Sequence, residues 1–337
     1  MDVTKIINSL FERQNLTTDD TKHFLAAVMK GEVLSTQIAA FLVALRMKGE
    51  TSDEIIGFIQ AMRSQMIRVD LSDAIDVCGT GGDGSNSINV STAVAFVVAG
   101  CGVKVAKHGN RAASSKSGAA DVLEALGVNI SLTAEQARAV CDKVGMVFLF
   151  APLFHPATKH IAIVRKELKI RTIFNFLGPF LSPASVSRQL IGVPGFVVAE
   201  KLVEVAKRLH YEKLILASSQ DGLDEISVFA KTDIFTIENN TIKQTTIDPK
   251  KFGFDYSSKK EIIGGSAKEN AESLKAILHG EKGARRDIVI INSAVALLVA
   301  GTVKTIEEGI TMAEHTVDSG LAKKILQNLI KETQKYA

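Results

Sequence analysis

The chain has 337 residues, of which 46% are hydrophobic and 23% are charged, so it can bury the core of one large domain or two smaller ones. The net charge of +3 is small and basic residues are interspersed with acidic ones, which argues against a nucleic-acid-binding surface beyond one local basic groove. The three cysteines are odd in number and lack metal-ligand spacing, so we expect buried or free thiols in a reducing compartment: Cys78, Cys101 and Cys141.

The first residues, MDVTKIINSLFERQ, carry charges where a signal peptide would need its apolar region. The longest apolar run, around residues 93–103, is too short to span a bilayer. We therefore expect a cytoplasmic protein that does not act at a membrane.

Residues 1 to about 70 are predicted to be entirely helical, because four successive segments place apolar residues at three- and four-residue spacing. Small polar residues occur where helix N-caps are expected, and glycines occur where two of the helices should end. The predicted caps are Ser35, Thr51 and Ser52, and the predicted stops are Gly31 and Gly49.

From Ala74 the pattern changes to alternating strands and helices. AIDVC, VKVAKH and MVFLFAP are typical of buried strands, and helical segments separate them. Gly127 is expected to end one of these helices, and Thr133 with Gln136 to form a capping box at the start of the next. This alternation predicts an α/β fold with a mostly parallel central sheet flanked by helices.

The chain returns to a helical pattern from about 157 to 186, and the strand–helix alternation then resumes. A period-two segment with a turn at Asn239 and Asn240 predicts two antiparallel strands, and helices complete the chain. We therefore predict a small helical domain of residues 1–70 and 157–186. The predicted larger α/β domain comprises residues 71–156 and 187–337.

The segment DVCGTGGDGSNSINVST, which begins at Asp76, joins a predicted strand to a predicted helix through four glycines in six residues. Glycine lets the main chain approach a ligand closely, and the N–H groups at a helix start attract anions. The segment lacks the lysine of a P-loop and matches the dinucleotide-binding spacing only loosely, so a tight structural turn is the alternative. Asp83 would repel a bare phosphate, which favours a sugar phosphate with free hydroxyl groups or a bridging metal. Ser91 or Thr92 can cap the helix, bind phosphate or ligate magnesium.

Two further polar segments follow predicted strands. KHGNRAASSKSG offers cations and hydroxyl groups for an anion, with a solvated basic loop as the alternative. SSQDGLDEIS contains Asp224 and Glu225, which can hold magnesium together with substrate phosphates, with a solvated turn as the alternative. Because parallel strands end at one edge of a sheet, we expect these loops to share one ligand site.

Together, five motifs resemble the anthranilate phosphoribosyltransferases, which have the nucleoside-phosphorylase-like type III phosphoribosyltransferase fold. The motifs are DVCGTGGDG, NVST, KHGNRAASSKSG, HPATKH…VRKELKIRTIFNFLGP and DGLDEI, in the family's order and spacing. The resemblance implies transfer of the 5-phosphoribosyl group from phosphoribosyl pyrophosphate (PRPP) to the amino group of anthranilate, in tryptophan biosynthesis. It also implies two magnesium ions, an active site between the two domains and a homodimer formed through the helical domains.

The resemblance assigns residues to three groups. Magnesium would be bound by Ser91, Asp224 and Glu225, and anthranilate by Gly79, Asn110 and Arg165, with His108 lining its pocket. His108 is also a candidate general base, and Arg165 has the alternative of pairing with a glutamate on its own helix. PRPP would be bound by Gly79, Gly82, Asp83, Ser87, Asn89, Val90, Ser91, Thr92, Lys107, His108, Gly109, Asn110, Arg111, Ala112, Ala113, Ser114, Ser115 and Ala119.

Three positions depart from the family pattern. Ala119 replaces a residue that is usually serine, which removes a hydroxyl contact to PRPP; Ser182 replaces an asparagine; and GGSAKENA replaces GGDAxENA. The alternative functions are a pyrimidine nucleoside phosphorylase, which would show a KMSGRGLGHTGGT-like segment, and a non-catalytic relative that binds nucleic acid through a basic groove. The first lacks the paired acidic residues seen here, and the second would carry strong positive charge.

Overall fold

The computed structural model describes residues 2–112, 116–256 and 258–337. Two compact units divide the chain. One comprises the chain up to Ile67 together with Pro152–Pro183, and the other comprises Arg68–Ala151 together with Ala184–Ala337. The domain boundaries at 70, 156 and 186 stay predictions.

The helices and strands alternate in the order expected from the sequence pattern. The α-helices are α1 (Val3–Phe11), α2 (Thr18–Lys30), α3 (Ser35–Lys48), α4 (Ser52–Gln65), α5 (Val90–Gly100), α6 (Ala119–Ala125), α7 (Ala134–Val144), α8 (Ala151–Phe154), α9 (Lys159–Leu168), α10 (Phe174–Leu177), α11 (Phe196–Lys207), α12 (Ala267–Leu278), α13 (Ala284–Ala300), α14 (Ile306–Asp318) and α15 (Leu321–Thr333). The strands are β1 (Ile75–Gly79), β2 (Val105–Gly109), β3 (Met146–Phe150), β4 (Arg188–Gly192), β5 (Lys213–Ser219), β6 (Thr232–Glu238) and β7 (Thr241–Ile247). Single 3₁₀ turns occur at Pro156–Thr158, Gly178–Leu181, Pro249–Phe252, Lys259–Ile262 and Gln334–Tyr336.

Aromatic side chains form the centre of the helical unit. Phe24 stacks on Phe41 with ring centroids 3.8 Å apart, and Phe58 meets Phe174 edge-on at 5.6 Å. Phe174 belongs to the second segment of this unit, so these contacts join α10 to the N-terminal helices. Such aromatic pairs add about 0.5–1.5 kcal/mol each to the stability that burial provides.

Local capping rules explain most of the helix ends. Thr51 caps α4 with a reciprocal capping box, as predicted, and Gly31 ends α2 in the left-handed conformation with φ 79°. The predicted caps Ser35 and Ser52 are wrong by one position, because each is the first helical residue of its helix. Leu34 occupies the cap position of α3, where it offers no side-chain hydrogen bond.

The α/β unit is built on a sheet whose order is β3-β2-β1-β4-β5-β6-β7 in the described residues. Strands β1 to β5 pair in parallel, and β6 and β7 add antiparallel strands at one edge. Asn239 and Asn240 both have positive φ, 49° and 62°, as the predicted two-residue hairpin requires. The predicted fold class, a helical domain with a larger, mostly parallel α/β domain, is confirmed.

Helices cover this sheet and bury its strands. Helices α5 and α13 contact each other; α5 packs on β1, β2 and β3, and α13 packs on β4 and β5. Helix α11 packs on β5 and the antiparallel hairpin. Within the described ranges, no helix combines the length and the apolar character that a membrane crossing needs.

Candidate active site

The loops after β1, β2, β4 and β5 leave the same edge of the sheet, because these strands are parallel. The chain runs from β1 to β2 and β3 on one side of β1, and it then crosses to β4 on the other side, so the direction of the strand order reverses at β1. Open α/β sheets bind ligands at such a reversal, beyond the carboxyl ends of the strands. Gly79, the last residue of β1, pairs with Gly192, the last residue of β4, and the Thr80 N–H donates to the Gly192 carbonyl at 2.9 Å. The glycine-rich segment therefore begins at the reversal.

Two strand-end glycines make room for the acidic loop that follows β5. A Cβ on Gly79 would lie 2.9 Å from Asp224 Cγ, and a Cβ on Gly192 would collide with the Asp224 carbonyl oxygen. The Gly81 N–H donates to Asp224 Oδ2 at 2.7 Å, which joins two motifs separated by 143 positions. The acidic loop is therefore folded over the ends of β1 and β4. Gly192 escaped the sequence analysis, although a glycine at the end of the buried strand RQLIG was its signal.

Two side chains fix the shape of the acidic loop. Asp221 accepts hydrogen bonds from Ser219 Oγ at 2.7 Å and from Ser227 Oγ at 2.9 Å, so it closes the turn from within. Asn292 of α13 is buried; it accepts from the Ile226 N–H at 2.9 Å and donates to the Ile226 carbonyl at 2.8 Å. Both contacts hold the chain beside the paired carboxylates. Asn292 was not identified from the sequence as part of the site.

Asp224 is buried, and its carboxyl group lies beside that of Asp83. Burial is the largest cause that raises the pKa of Asp224, to about 7, and the negative charge of Asp83 is the next. Asp83 comes from the glycine-rich loop, where its Oδ1 accepts from the Ser85 N–H at 3.0 Å. Two carboxyl groups this close favour a proton or a metal ion between them.

Glu225 meets the start of α5. Burial, followed by the charge of Asp224, raises the pKa of Glu225 well above its usual value, while Lys107 and the Ser91 N–H act in the opposite direction. Lys107 is itself buried, and its Nζ donates to the Val77 carbonyl at 2.7 Å and to Ser91 Oγ at 3.1 Å. Ser91 is thus tied to Glu225 through its main chain and to Lys107 through its hydroxyl group.

The three predicted magnesium ligands, Ser91, Asp224 and Glu225, are brought to this one edge. Across 2–112, 116–256 and 258–337, no three His, Cys, Asp or Glu side chains converge closely enough to hold a metal by themselves. Magnesium usually takes one or two carboxylates and completes its octahedron with substrate phosphates and water. The hard oxygen donors and the raised pKa values of both carboxyl groups fit such a shared site.

The glycine-rich loop forms a main-chain surface in front of these carboxylates. Gly81, Gly82 and Gly84 all have positive φ, between 70° and 78°, which side chains other than glycine adopt with strain. Helix α5 begins at Val90 with Asn89 at its cap position, so of the three alternatives for Ser91 or Thr92, that of capping the helix is wrong. The predicted PRPP residues of this segment nevertheless follow one another along the loop and the first helical turn: Gly79, Gly82, Asp83, Ser87, Asn89, Val90, Ser91 and Thr92.

A buried polar pair supports the second loop. The His108 N–H donates to Asp76 Oδ1 at 3.2 Å, and Gln189 Nε2 donates to Asp76 Oδ2 at 3.0 Å. Burial raises the pKa of Asp76 to about 6, while Lys107 opposes that shift. Asp76 and Gln189 lie in adjacent strands, and neither was identified from the sequence as part of the site. His108 is also buried, in β2.

Arg111 is engaged by acidic side chains of α6. Its guanidinium donates to Asp121 at 3.0 Å and to both carboxylate oxygens of Glu124, and it lies 5.4 Å from the centroid of the Phe150 ring. Those hydrogen bonds raise the pKa of Arg111. Its contact with a substrate phosphate stays a prediction that requires this ion pair to open.

The other predicted residues of this loop have varied surroundings. Asn110 Oδ1 accepts from the Arg111 N–H at 2.7 Å, the Ala112 N–H donates to Asp121 at 3.0 Å, and Ala119 opens α6. Gly109 ends β2, where a Cβ would lie 2.8 Å from the Phe148 ring. Ala113, Ser114 and Ser115 lie outside the described residues.

Arg165 belongs to the helical unit, whereas Gly79, His108 and Asn110 belong to the α/β unit. It lies on α9, half-buried, with its guanidinium carbon 5.3 Å from the centroid of the Phe174 ring. Burial lowers its pKa, and no carboxylate in the part of the chain that the structure describes forms an ion pair with it. The alternative that it pairs with a glutamate of its own helix is therefore not what the structure shows.

Comparison with known proteins identifies both units. A family model described as "Glycosyl transferase family, helical bundle domain" matches residues 4–66, and one described as "Glycosyl transferase family, a/b domain" matches residues 71–323. The anthranilate phosphoribosyltransferase of Clostridium beijerinckii is 45% identical over 332 residues, 98% of each chain. That of Dehalococcoides mccartyi strain CBDB1 is 44% identical over 338 residues, 99% of each chain.

Solved structures give the same result. The crystal structure of anthranilate phosphoribosyltransferase from Thermus thermophilus superposes with a TM-score of 0.89 at 34% identity, covering 99% of this chain and 100% of that one. The Saccharomyces cerevisiae enzyme in complex with PRPP and Mg gives 0.91 at 28% identity, covering 99% and 98%. With full-length relatives, matching domain models and the five motifs in one fold, the chain belongs to the anthranilate phosphoribosyltransferase family of glycosyl transferases.

Proposed function

We propose that the chain transfers the 5-phosphoribosyl group from PRPP to the amino group of anthranilate, giving N-(5-phosphoribosyl)anthranilate and pyrophosphate in tryptophan biosynthesis. The observation that carries the proposal is the acidic loop: Asp224 and Glu225 lie over the glycine ends of two strands, facing the main chain of the glycine-rich loop. The relatives reported above carry this activity in their names, and the yeast structure holds PRPP with Mg.

PRPP is proposed to lie along the glycine-rich loop and the start of α5, with Lys107 and the second loop completing its site. The exposed glycine main chain admits a pyrophosphate closely, and the helix N-terminus favours its negative charge. Asp83 would repel a bare phosphate, but it lies beside Asp224, where a bound cation can separate the Asp83 carboxylate from the phosphate. The residues of the loop thus suit a diphosphate that arrives with metal.

We assign one magnesium ion to Ser91 and Glu225 and a second to Asp224 and Glu225. When bound, magnesium supplies positive charge to the leaving pyrophosphate. The protein's own part is to hold the carboxylates still: the Gly81 N–H fixes Asp224, and Asn292 fixes the residue after Glu225. Preorganised groups of this kind lose little energy to reorganisation during the reaction.

Bond breaking at the ribose transfers the electron pair of the C–O bond to pyrophosphate, and positive charge develops on the ribosyl carbon. The amine of anthranilate then forms the new C–N bond and loses a proton. Because the amine is a neutral nucleophile, correct positioning matters more than strong base catalysis. We therefore assign Arg165 to the anthranilate carboxylate, with Asn110 and Gly79 as further contacts and His108 as a wall of the pocket. A guanidinium that no carboxylate of the described residues engages suits this role.

A homodimer in the cytoplasm completes the proposal. Three large apolar side chains on or next to α1 and α3 are exposed to solvent, and a second copy of the chain could cover them. They are Phe11, Leu34 and Met47, with 62%, 68% and 74% of their surface exposed. All three cysteines are free thiols, as a reducing compartment favours. Light scattering at micromolar concentration distinguishes a dimer from a monomer.

The test is a direct assay in which the loss of anthranilate fluorescence is followed after PRPP and magnesium are added. The double variant Asp224→Asn with Glu225→Gln should lower kcat by orders of magnitude, because it removes both carboxylates that hold metal. The matched control is Asp73→Asn, which removes an exposed carboxylate just before β1, at the opposite edge of the sheet. A wild-type chain that leaves anthranilate unchanged, or a double variant as active as the control, refutes the proposal.

A further inference from the structure

The segment from Ile262 to Ala271 contains GGSAKENA, to which the proposed function assigns nothing. Its first residues run antiparallel to the end of the glycine-rich loop. The Ile88 N–H donates to the Ile262 carbonyl at 2.9 Å, the Gly264 N–H donates to the Asn86 carbonyl at 2.8 Å, and Ser87 bridges Ile263. The glycine-rich loop is therefore paired along its far end with a segment almost 180 positions later in the chain.

Asn270, in the first turn of α12, joins this segment to both substrate loops. Its side chain is buried at 3% exposure, and Nδ2 donates to Asn89 Oδ1 and to Ser117 Oγ, each at 2.9 Å. Its Oδ1 accepts from the Gly265 N–H at 2.7 Å. Asn89 in turn donates to the Ser117 carbonyl at 3.3 Å. One carboxamide thus links the start of α5, the end of the second loop and its own segment.

Asn270 packs closely against the segment that it joins to the loops. A Cβ on Gly264 would lie 2.7 Å from Asn270 Oδ1 and 2.8 Å from the Ser87 carbonyl oxygen, so the glycine allows the asparagine to approach the loop. Both Nδ2 hydrogens are used. An aspartate at position 270 would have nearly the same shape, but it would turn an oxygen toward the oxygens of Asn89 and Ser117.

We propose that Asn270 is a positioning residue that sets the spacing between the two PRPP-binding loops, residues 79–92 and, where the second loop is described, residues 107–112 and 116–118. The inference rests on the proposed function and deepens it, since it names what fixes the geometry of the PRPP site from behind. Asn270 acts through Asn89 and Ser117. Displacement of one loop relative to the other by about 1 Å is enough to weaken binding or catalysis by about 100-fold.

The experiment compares three variants, Asn270→Ala, Asn270→Asp and Ser117→Ala, with a matched control, Asn129→Ala. Asn129 also uses its carboxamide to join distant segments, donating to the Thr333 carbonyl at 3.4 Å, but it lies outside both substrate loops. We expect both Asn270 variants to raise KM for PRPP about 10- to 100-fold while KM for anthranilate changes little. Asn129→Ala should leave both values unchanged.

A binding measurement separates this inference from the proposed function. PRPP with magnesium should raise the Tm of the wild-type chain, and this rise should be smaller in the Asn270 variants at the same ligand concentration. If the wild-type chain responds to PRPP but does not consume anthranilate, the proposed function fails and the positioning role stands or falls on the Tm shifts. If the wild-type chain does not respond to PRPP, both fail.

Ser117→Ala keeps the test decisive if the Asn270 variants do not fold, because it removes one of the three contacts and no main-chain group. It should raise KM for PRPP in the same direction but less. Combined with a folded Asn270→Ala, it should add less than its own separate effect, since both changes break the same hydrogen bond. Equal increases in both KM values, or full additivity, would overturn the positioning role.

Discussion

The pKa of about 7 at Asp224 predicts that protons compete with magnesium for this carboxylate near neutral pH. A raised pKa means that the carboxyl group is protonated below about pH 7 in the metal-free protein, and a metal ligand must be deprotonated. About nine-tenths of the groups are ionised one pH unit above the pKa and about one-tenth one unit below it. The magnesium concentration that gives half-maximal velocity should therefore rise about 10-fold between pH 8 and pH 6.

The assay is anthranilate fluorescence at saturating anthranilate, with magnesium titrated at pH 6, 7 and 8. Because PRPP also titrates, the control is Asp83→Asn, which removes the second-largest cause of the raised pKa and leaves the substrate unchanged. The Asp83→Asn variant should have a lower maximal velocity, and the increase in the magnesium concentration that it needs for half-maximal velocity should begin at a lower pH than in the wild-type chain. A magnesium requirement that is flat from pH 8 to pH 6, or identical profiles in the two proteins, would refute the reasoning.

Three further outcomes can be checked in the same preparations. Gly79→Ala should lower kcat/KM about 100-fold, because the added Cβ would lie 2.9 Å from Asp224 Cγ. Gly178→Ala is the control, since its Cβ would meet no atom within 4 Å, and it should leave kcat/KM unchanged. Equal losses of kcat/KM in the two variants would contradict this prediction. Arg165→Ala should raise KM for anthranilate far more than KM for PRPP, and a similar rise in both would exclude the assigned contact. The pKa of Asp76 rises from 3.8 to about 6 on folding, so this carboxyl group binds its proton more tightly in the folded state. The free energy of unfolding should therefore fall by up to about 3 kcal/mol as the pH rises from about 4 to 6 and the group ionises. Urea unfolding at pH 5 and pH 7 should show a smaller loss in Asp76→Asn than in the wild-type chain; the same loss in both would contradict the assignment.

The parts of the fold that depend on nearby residues followed from the sequence. Helices and strands were predictable because apolar spacing and capping residues act within one or two turns, as the capping box of Thr133 shows. Errors of one position at Ser35 and Ser52 arose because a serine next to a helix start suits either the cap or the first turn. The surroundings of Arg111 were also within reach, since its acidic partners lie 10 and 13 positions away on α6.

The supporting residues of the site could not be predicted in this way. Asn292 acts 66 positions from Ile226, and Asn270 acts 181 positions from Asn89, so no local pattern marks either contact. Their chemistry is that of ordinary buried asparagines until the sheet order brings the loops together. The motifs therefore predict which groups would meet the substrate, and tertiary structure was needed to identify the groups that hold them.

The division of the chain between the two units has a consequence for its synthesis. The polypeptide leaves the helical unit at Ile67, returns at Pro152 and leaves again at Pro183, so Phe58 lacks its partner Phe174 until the third segment emerges from the ribosome. Translation at roughly 5 to 20 residues per second leaves the first four helices without that partner for on the order of ten seconds. β1 likewise waits for β4, which follows the excursion. Neither unit can therefore be completed as a folded domain before the chain has been synthesised beyond Pro183.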